Sequence, residues 1–426
     1  MTSANPSDCP VFIGNREAVE GLQGIADGFL LHNRDIVTRC DDSLLRIFRG
    51  KEYPLRRSRG YVPQPLEVLG NVHGLLACGA EQKAGFALGK GQDALLSQHI
   101  GDLKNMETLE HYQTQLQHFR TLFGVEVEGL ACDLHPDYLS TQVAQQLSKE
   151  LNVPLLQVQH HHAHMLSCMA DNGLTGPCIG LVWDGTGLGT DGTIWGAECL
   201  AGDALGFTRL GSISPIRLPG GDACARDPQR IAHSLLVDAK LEEHSTAPQA
   251  HLLTMQLNAG LNCPPASSMG RLFDGMYALL GSSSPVHYEG ESAIRLEHMA
   301  QAGITQALPV EVETVDGVCR LQTPALTAAM MERKAAGDSP NLLAAQFMNA
   351  MVELAVKQCQ FARKQTGLNR VVLSGGVFQN MYLLPRILDA LTDQGFEAYH
   401  HSRVSTNDEG IALGQLIAAA ARRKEG

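Results

Sequence analysis

The stretch 159–192 contains the features that most constrain how this chain can fold. It opens with four histidines within five residues, among them His160 and His164. Residues four positions apart lie on one face of a helix, so a helix here would let both imidazoles bind one divalent metal ion. Helical histidines can also be ordinary surface residues, and the cluster alone leaves that interpretation open. The sequence thus predicts a helix and a candidate metal site on one of its faces.

A short apolar run follows the histidines and ends in a carboxylate and a set of glycines. Residues 178–183 predict a strand, and Asp184 stands at the head of a glycine-rich turn over 184–189. Such a carboxylate can face a metal, and the backbone N–H groups of a glycine turn can approach phosphate oxygens. A plain hairpin turn would show the same pattern. The working hypothesis is a metal centre beside a nucleotide phosphate site.

Two carboxylates complete the candidate metal set. Asp184 is predicted at a strand end and Asp408 at a helix start in the opposite lobe, so Asp408 would reach the histidines from the far lobe. Imidazole nitrogens with carboxylate oxygens suit iron or zinc better than calcium or magnesium. His161 and His162 point elsewhere on the helix, where they either support the ligands or lie on the surface. The predicted metal ligands, which are also the predicted catalytic residues, are His160, His164, Asp184 and Asp408.

From residue 67 onward, strand and helix patterns alternate, which predicts an α/β fold. The expected elements include strands at 72–79, 127–132 and 155–158, a hairpin at 85–96 that turns at 89–91, and helices at 106–122 and 140–151. Late in the chain, a strand at 371–373 runs into a second glycine turn at 374–380. One glycine turn in each half suggests two related α/β lobes that close on a nucleotide.

The composition is that of a globular protein and argues against several classes of function. A formal net charge of −12 argues against nucleic-acid binding as the main role. The 11 cysteines show no C-x-x-C spacing, which indicates reduced thiols and no cysteine zinc module. No apolar run is long enough to span a bilayer, and the first residues lack a signal-peptide pattern. We therefore expect a cytoplasmic protein without membrane contact.

Residues 1–65 differ from the rest of the chain, because they hold too little apolar sequence for an independent domain. A short helix is expected near 16–25. A basic tail follows, made of Arg46, Arg49, Lys51, Arg56, Arg57 and Arg59. This tail could bind an anionic ligand or serve as a solvated linker, and composition does not choose between the two.

Short segments in a constant order resemble those of the HypF carbamoyltransferases, which help to build the cyanide ligands of nickel-iron hydrogenases. The segments are 79–83, 97–102, 133–138, 158–164, 184–189, 218–222, 270–274, 288–291, 374–380 and 407–415. The resemblance implies a two-lobed, actin-like α/β nucleotide-binding fold, TsaD-like in type, over residues 66–426. It implies that 1–65, through Thr2, Ser3, Ala4, Asn5 and 32–35, is the remnant of a YrdC-like domain. The acylphosphatase and zinc-finger domains of full-length HypF are not expected here.

The resemblance also implies which residues bind ligands. The implied nucleotide-binding residues are Lys83, Asp184, Gly185, Thr186, Gly187, Gly270, Asp274, Gly375, Gly376 and Asn380. Lys83 could neutralise a phosphate, although a single lysine is more commonly exposed to solvent. In the family, the pair that matches His160 and His164, with the matching acids, holds iron or zinc.

For function, the resemblance implies transfer of a carbamoyl group from carbamoyl adenylate, made from carbamoyl phosphate and ATP, to the C-terminal cysteine of a HypE-type partner. Because the nucleophile belongs to the partner, the chain needs no motif such as G-x-S-x-G, and it has none. Two alternatives stay open: O-carbamoylation of a small-molecule hydroxyl, and a non-catalytic scaffold that binds HypE and nucleotide. Threonylcarbamoyl transfer to tRNA is disfavoured by the acidic charge and by segments 267–274 and 288–291.

Overall fold

The structure is a computed structural model that describes residues 3–6, 9–281 and 285–425. Thr2, part of the N-terminal motif, lies outside the described residues. The chain divides into two compact units, one formed by Met1–Thr175 with His401–Gly426 and the other by Gly176–His400. Each unit combines helices with a sheet, as an α/β protein does. Within the described ranges, no helix is both long enough and apolar enough to cross a membrane.

The first unit is organised around parallel and antiparallel strands with helices between them. Its elements up to Thr175 are α1 (Asn15–Gly21), β1 (Leu44–Phe48), β2 (Lys51–Arg56), β3 (Leu66–Glu67), β4 (Leu75–Ala77), β5 (Ala87–Lys90), β6 (Asp93–Leu96), α2 (Met106–Phe123), β7 (Gly129–Asp133), α3 (Leu139–Leu151), β8 (Leu155–Val158) and α4 (His160–Asp171). β1 and β2 pair as a hairpin, and the others form a sheet in the order β3-β6-β5-β4-β7-β8. β7 and β8 are parallel, which requires a crossover, and α3 supplies it.

Helix α2 shows how local sequence and packing cooperate in this unit. The Asn105 side chain accepts a hydrogen bond of 2.8 Å from a backbone N–H of the first turn, which caps the helix. On the buried face, Tyr112 and Phe119 pack edge-on against Phe86, with ring centroids 5.7 and 5.1 Å apart. Burial of each such ring contributes about 1.5–3 kcal/mol. The helix predicted at 106–122 is confirmed.

The other elements predicted for this unit are present as the predicted helices and strands, but several begin or end at different residues. The strand predicted at 155–158 is β8, and α3 starts one residue before the predicted 140. The strand predicted at 72–79 is shorter, because Val72 N donates to Gly91 O and only the residues of β4 pair as a strand. The hairpin turns after Lys90, which pairs with Asp93, so the predicted turn is displaced by about one residue.

The second unit contains a larger sheet with helices around it. Its elements are β9 (Cys178–Leu188), β10 (Ile194–Asp203), β11 (Gly206–Ile213), β12 (Ile216–Arg217), α5 (Ala223–Arg226), α6 (Pro228–Asp238), α7 (Ala250–Ala259), β13 (Pro265–Ser268), α8 (Met269–Leu279), α9 (Glu291–Met299), β14 (Val312–Val315), β15 (Val318–Leu321), α10 (Thr323–Ala335), α11 (Pro340–Thr366), β16 (Arg370–Ser374), α12 (Leu383–Asp393) and β17 (Glu397–His400). The sheet runs β14-β15-β11-β10-β9-β16-β17, with β13 beside β10. β16 lies parallel to both β9 and β17.

The glycine-rich turn predicted at 184–189 is wrong, because β9 continues past Asp184. Its last residues pair with the start of β10, with Gly187 opposite Trp195. The turn comes afterwards and is closed by a hydrogen bond of 2.8 Å from Gly189 N to Thr193 O. Glycine is a poor strand former by itself, but cross-strand pairing decides the backbone here, and local composition does not reveal it.

The chain returns to the first unit at His401 and ends in α13 (Ile411–Glu425), after a 3₁₀ turn at Asp408–Gly410. α13 packs on α4, and the backbones meet at Gly414, where a Cβ would lie 1.8 Å from Ala163 O. This return places Asp408 in the same unit as the histidine helix. The prediction that Asp408 comes from the opposite lobe is therefore wrong, and it is Asp184 that belongs to the other unit.

The basic tail is folded structure rather than a linker. It lies largely on the β1–β2 hairpin, where Tyr53 is buried. Arg57 is buried as well, and its Nη2 donates to Tyr61 O at 3.0 Å and to Gln64 O at 2.7 Å. The helix predicted near 16–25 is α1, which ends earlier, at Gly21. The predicted domain boundary at residue 65 stays a prediction.

Candidate functional site

The histidines lie on α4, which starts where predicted. Gln159 caps the helix, since its side-chain oxygen accepts a hydrogen bond of 2.9 Å from His162 N. The cap fixes the first turn, and the i, i+4 spacing then puts His160 and His164 on one face, with ring centroids 5.1 Å apart. Both side chains are fully buried. Two buried imidazoles on one helical face match the predicted ligand pair.

Asp408 faces both of these imidazoles from the turn before α13. Its Oδ1 lies 3.9 Å from His160 Nε2 and 3.6 Å from His164 Nε2. These separations are too long for hydrogen bonds. Ligand atoms that share one zinc ion at about 2.0–2.1 Å lie about 3.4 Å apart, which is close to the separations seen here. The first unit thus brings together three of the four predicted metal ligands.

Asp133 orients His160 and was not singled out from the sequence. Its Oδ2 lies 2.8 Å from His160 Nδ1, and neither side chain is exposed to solvent. The other carboxylate oxygen, Oδ1, accepts a hydrogen bond of 2.9 Å from His135 N. Metal-binding histidines commonly donate their second ring N–H to a carboxylate, which fixes the tautomer. The sequence feature that could have pointed to Asp133 is its position at the end of a predicted strand, in the segment 133–138.

The two other histidines of the cluster are also inside the protein. His161 is fully buried, with Nδ1 3.1 Å from Gln159 Nε2, and His162 is buried beside it. The interpretation of these residues as surface groups is wrong. Most residues of this helix are buried, so all four histidines of the cluster lie inside the protein.

Asp184 and the second glycine turn meet within the second unit. Asp184 Oδ1 accepts a hydrogen bond of 3.0 Å from Gly376 N. Gly375 has a φ of 103°, and a Cβ there would lie 2.2 Å from Trp183 O, so only glycine fits. The first glycine-rich segment is thus part of β9, and the second directly follows β16, the parallel neighbour of β9. The prediction of one such turn in each lobe is wrong.

The start of α8 lies against the same end of β9. A Cβ at Gly270 would lie 2.9 Å from Gly185 Cα, and the Ser268 hydroxyl donates to Gly185 O. Asp274, one turn further along α8, is buried and its Oδ2 lies 2.8 Å from Arg271 Nε. Burial raises the pKa of the Asp274 carboxyl. Five predicted nucleotide-binding residues thus share one region of this unit: Asp184, Gly185, Gly270, Gly375 and Gly376.

The remaining predicted nucleotide-binding residues are placed differently. Thr186 and Gly187 lie further along β9. Asn380 lies just before α12, and its side-chain oxygen accepts hydrogen bonds from Tyr382 N at 2.9 Å and from Leu383 N at 3.0 Å. Lys83 belongs to the first unit, in a left-handed conformation, with its backbone N donating to Asp102 Oδ1 at 2.9 Å. Nucleotide contact by any of the ten predicted residues stays a prediction.

Comparison with known proteins shows which family the chain belongs to. Residues 70–171 match the family described as the HypF Kae1-like domain, and residues 180–415 match the carbamoyltransferase Kae1-like domain, second subdomain. Carbamoyltransferase HypF2 of Cupriavidus necator is 37% identical, over 99% of this chain and 56% of that protein. A carbamoyltransferase HypF homolog from the same organism is 36% identical, over 81% of this chain and 91% of its own length.

A solved structure extends the likeness to the backbone. The crystal structure of full-length HypF in the phosphate- and nucleotide-bound form superimposes with a TM-score of 0.95 and 39% identity, over 100% of this chain and 56% of that one. The chain is thus a Kae1-like protein with an α/β fold, the fold class that the sequence predicts. It belongs to the HypF family. It spans a little over half the length of the first of these relatives, HypF2.

Proposed function

We propose that this chain transfers a carbamoyl group from carbamoyl adenylate to the C-terminal cysteine of a HypE-type partner, in the maturation of nickel-iron hydrogenases. The observation that carries the proposal is the buried cluster of His160, His164 and Asp408 in a chain of the HypF family. Two imidazoles and a carboxylate that converge inside the protein form the kind of donor set that holds a transition metal ion.

The donor set fits a divalent iron or zinc ion. Two imidazole nitrogens and one carboxylate oxygen are ligands that both metals accept, and three protein ligands are typical of a catalytic site that keeps a position for substrate. Asp133 supports the fit, because it holds His160 by Nδ1 and directs Nε2 towards Asp408. When bound, the metal would act as a Lewis acid towards the carbamoyl oxygen or the adenylate phosphate. Asp184 as a fourth ligand remains part of the proposal.

The second unit supplies the proposed nucleotide site. Gly270 and Gly375 let α8 and the end of β16 approach β9 closely, and a Cβ at Gly185 would meet open space. Backbone groups at these glycines could therefore come close to phosphate oxygens. The N-terminus of α8 adds partial positive charge in the same region. The relative solved in a phosphate- and nucleotide-bound form supports ATP-derived ligands for this family member as well. In this proposal the second unit binds the carbamoyl adenylate and orients it for the transfer.

The transfer step itself needs no nucleophile from this chain. The partner's thiolate sulfur forms a bond with the carbamoyl carbon while the bond from that carbon to the adenylate phosphate oxygen breaks. AMP leaves with the electron pair, and a thiocarbamate remains on the partner. Carbamoyl phosphate and ATP are the proposed source of the adenylate. Exclusion of water around buried histidines would limit hydrolysis of that intermediate.

The direct test supplies preformed carbamoyl adenylate and a HypE-type partner, and then weighs the partner's C-terminal peptide. We expect a mass gain of one carbamoyl group with the wild-type chain and none with His160→Ala or His164→Ala. A partner whose C-terminal cysteine is replaced by serine is the matched control. Binding of the partner without any mass gain would favour the scaffold alternative. Carbamoylation of a small hydroxyl compound, with the partner unmodified, would favour the O-carbamoyltransferase alternative.

A further inference from the structure

The outer edge of β2 carries a feature that the proposed function does not explain. β1 pairs with one edge of β2, and within the described residues this hairpin has no third strand. At the end of β2 the pairing with β1 skips Leu55, and Arg57 directly follows the strand, so Leu55 O and Arg57 N are backbone groups outside the β1–β2 ladder. An edge of this kind leaves hydrogen-bonding groups that need partners.

The partners of this edge are the two residues that flank Asp408. Asn407 Nδ2 donates to Leu55 O at 2.9 Å, and Arg57 N donates to Glu409 Oε2 at 2.8 Å. The side chains of Asn407 and Glu409 therefore take the place of a neighbouring strand. Between them lies the carboxylate that faces His160 and His164.

Glu409 joins three parts of the first unit through one buried carboxylate. Besides Arg57 N, its Oε2 accepts a hydrogen bond of 2.6 Å from Ser405 Oγ, and its Oε1 lies 2.9 Å from His99 Nδ1. Asn407 Oδ1 also accepts from Glu409 N at 3.1 Å, which starts the 3₁₀ turn. The loop before α13 has no strand of its own here, so these side chains set its position.

We propose that the β1–β2 hairpin is a positioning element for Asp408, acting through Asn407 and Glu409. Metal ligands must be held to within a few tenths of an ångström to bind tightly, and supporting residues around a site tune its affinity. Both chain neighbours of Asp408, Asn407 and Glu409, are hydrogen-bonded to the hairpin. These bonds hold the Asp408 backbone so that its carboxylate faces the two imidazoles. This inference rests on the metal site of the proposed function and adds the hairpin as a part of it.

The test measures metal binding by the full chain rather than activity. Zinc affinity is measured by competition with a chromophoric chelator, and ligand geometry by the visible absorption of the cobalt(II) form. We expect Asn407→Ala and Glu409→Gln each to weaken zinc binding roughly ten- to hundredfold and to change the cobalt spectrum. Glu81→Gln is the matched control, because Glu81 Oε2 accepts a hydrogen bond of 2.7 Å from Leu139 N in the same unit. It should keep the wild-type affinity and spectrum.

Two outcomes would overturn the inference, and they are distinguishable. If Asn407→Ala and Glu409→Gln lower the melting temperature of the metal-free chain but leave zinc affinity and the cobalt spectrum unchanged, the hairpin stabilises the fold only. The metal site would then still stand. If the wild-type chain binds zinc no better than His160→Ala, the metal site fails and the positioning role falls with it. Two variants are used so that failure of one to fold leaves the other as a test.

Discussion

At the scale of single residues, two carboxylates reach the two nitrogens of one imidazole ring. Asp133 Oδ2 lies 2.8 Å from His160 Nδ1, within hydrogen-bond distance, whereas Asp408 Oδ1 lies 3.9 Å from Nε2. The first contact holds the ring and the second faces the proposed metal position. The His160 ring is thus oriented before any ion binds, which lowers the entropy cost of metal binding.

We predict that Asp133→Asn weakens zinc binding roughly ten- to hundredfold, because an amide holds the His160 tautomer less strongly than a carboxylate does. A competition titration with a chelator measures the change. Asp137→Asn, an exposed residue in the same loop, should bind zinc as the wild type does. Equal zinc affinity in Asp133→Asn and the wild type would show that Asp133 has no part in the site.

The His160 and His164 pair could be read from the sequence, because a helix fixes which residues share a face over one turn. The partnership with Asp133 could not. It depends on β7 ending beside the start of α4, and the chain between them includes α3 and β8. An aspartate after a strand is common, and only its tertiary neighbour distinguishes this one.

At the scale of elements, the contact between α4 and α13 brings the metal ligands together. Asp408 precedes α13 and the histidines are on α4, so the distance between these helices sets the distance between ligands. Gln415 strengthens the docking of α13, since it accepts from Gly79 N at 2.8 Å and donates to Gly79 O at 3.0 Å. Gly414 permits the close approach, because no side chain lies between the backbones.

We predict that Gly414→Ala destabilises the chain by about 2–3 kcal/mol through overpacking. A loss of stability would be the opposite of the usual effect, since alanine in place of glycine normally stabilises a helix interior by about 1 kcal/mol. Urea unfolding measures the loss, and a zinc titration should show weaker binding because the helices move apart. Ala421→Gly, on the half-buried side of the same helix, should lose about 1 kcal/mol and keep its zinc affinity. A more stable Gly414→Ala chain would contradict the close contact.

At the scale of the whole molecule, acid stability is tied to a buried histidine on α2. Burial lowers the pKa of His111 to about 4 from its ordinary 6.5, with further lowering by Arg39 and His99. Between these two values the unfolded chain binds more protons at this residue than the folded chain does. The contribution of His111 to stability is therefore unchanged above pH 6.5 and falls as the pH drops through this window, by about 3 kcal/mol in total.

We predict that His111→Gln makes the free energy of unfolding less dependent on pH between 6.5 and 4. Urea unfolding across that range measures the slope for each chain. Gln113→Ala, at an exposed position of the same helix, is the control and should keep the wild-type slope, because it changes no titratable group. Identical slopes for the wild type and His111→Gln would show that this residue is not the source of the acid sensitivity.

The amino-acid sequence by itself determined the features that depend on residues close together in the chain, and the order of its motifs indicated the family. The α/β alternation, the capped helix α2, the strand β8 and the i, i+4 histidine pair all follow from periodicity and short-range hydrogen bonding. The order of the short segments identified the HypF family, which the comparisons confirm. These features could be predicted because each depends on residues close together in the chain or on a pattern read along it.

Tertiary structure decided the rest. Pairing with β10 turned the Asp184 glycine segment into strand, and the return of the chain at His401 put Asp408 beside the histidines. The hairpin of the basic tail forms hydrogen bonds with Asn407 and Glu409, the residues on either side of Asp408. In each case the deciding contact joins segments far apart in sequence, and its energy comes from pairing and burial that no local pattern contains.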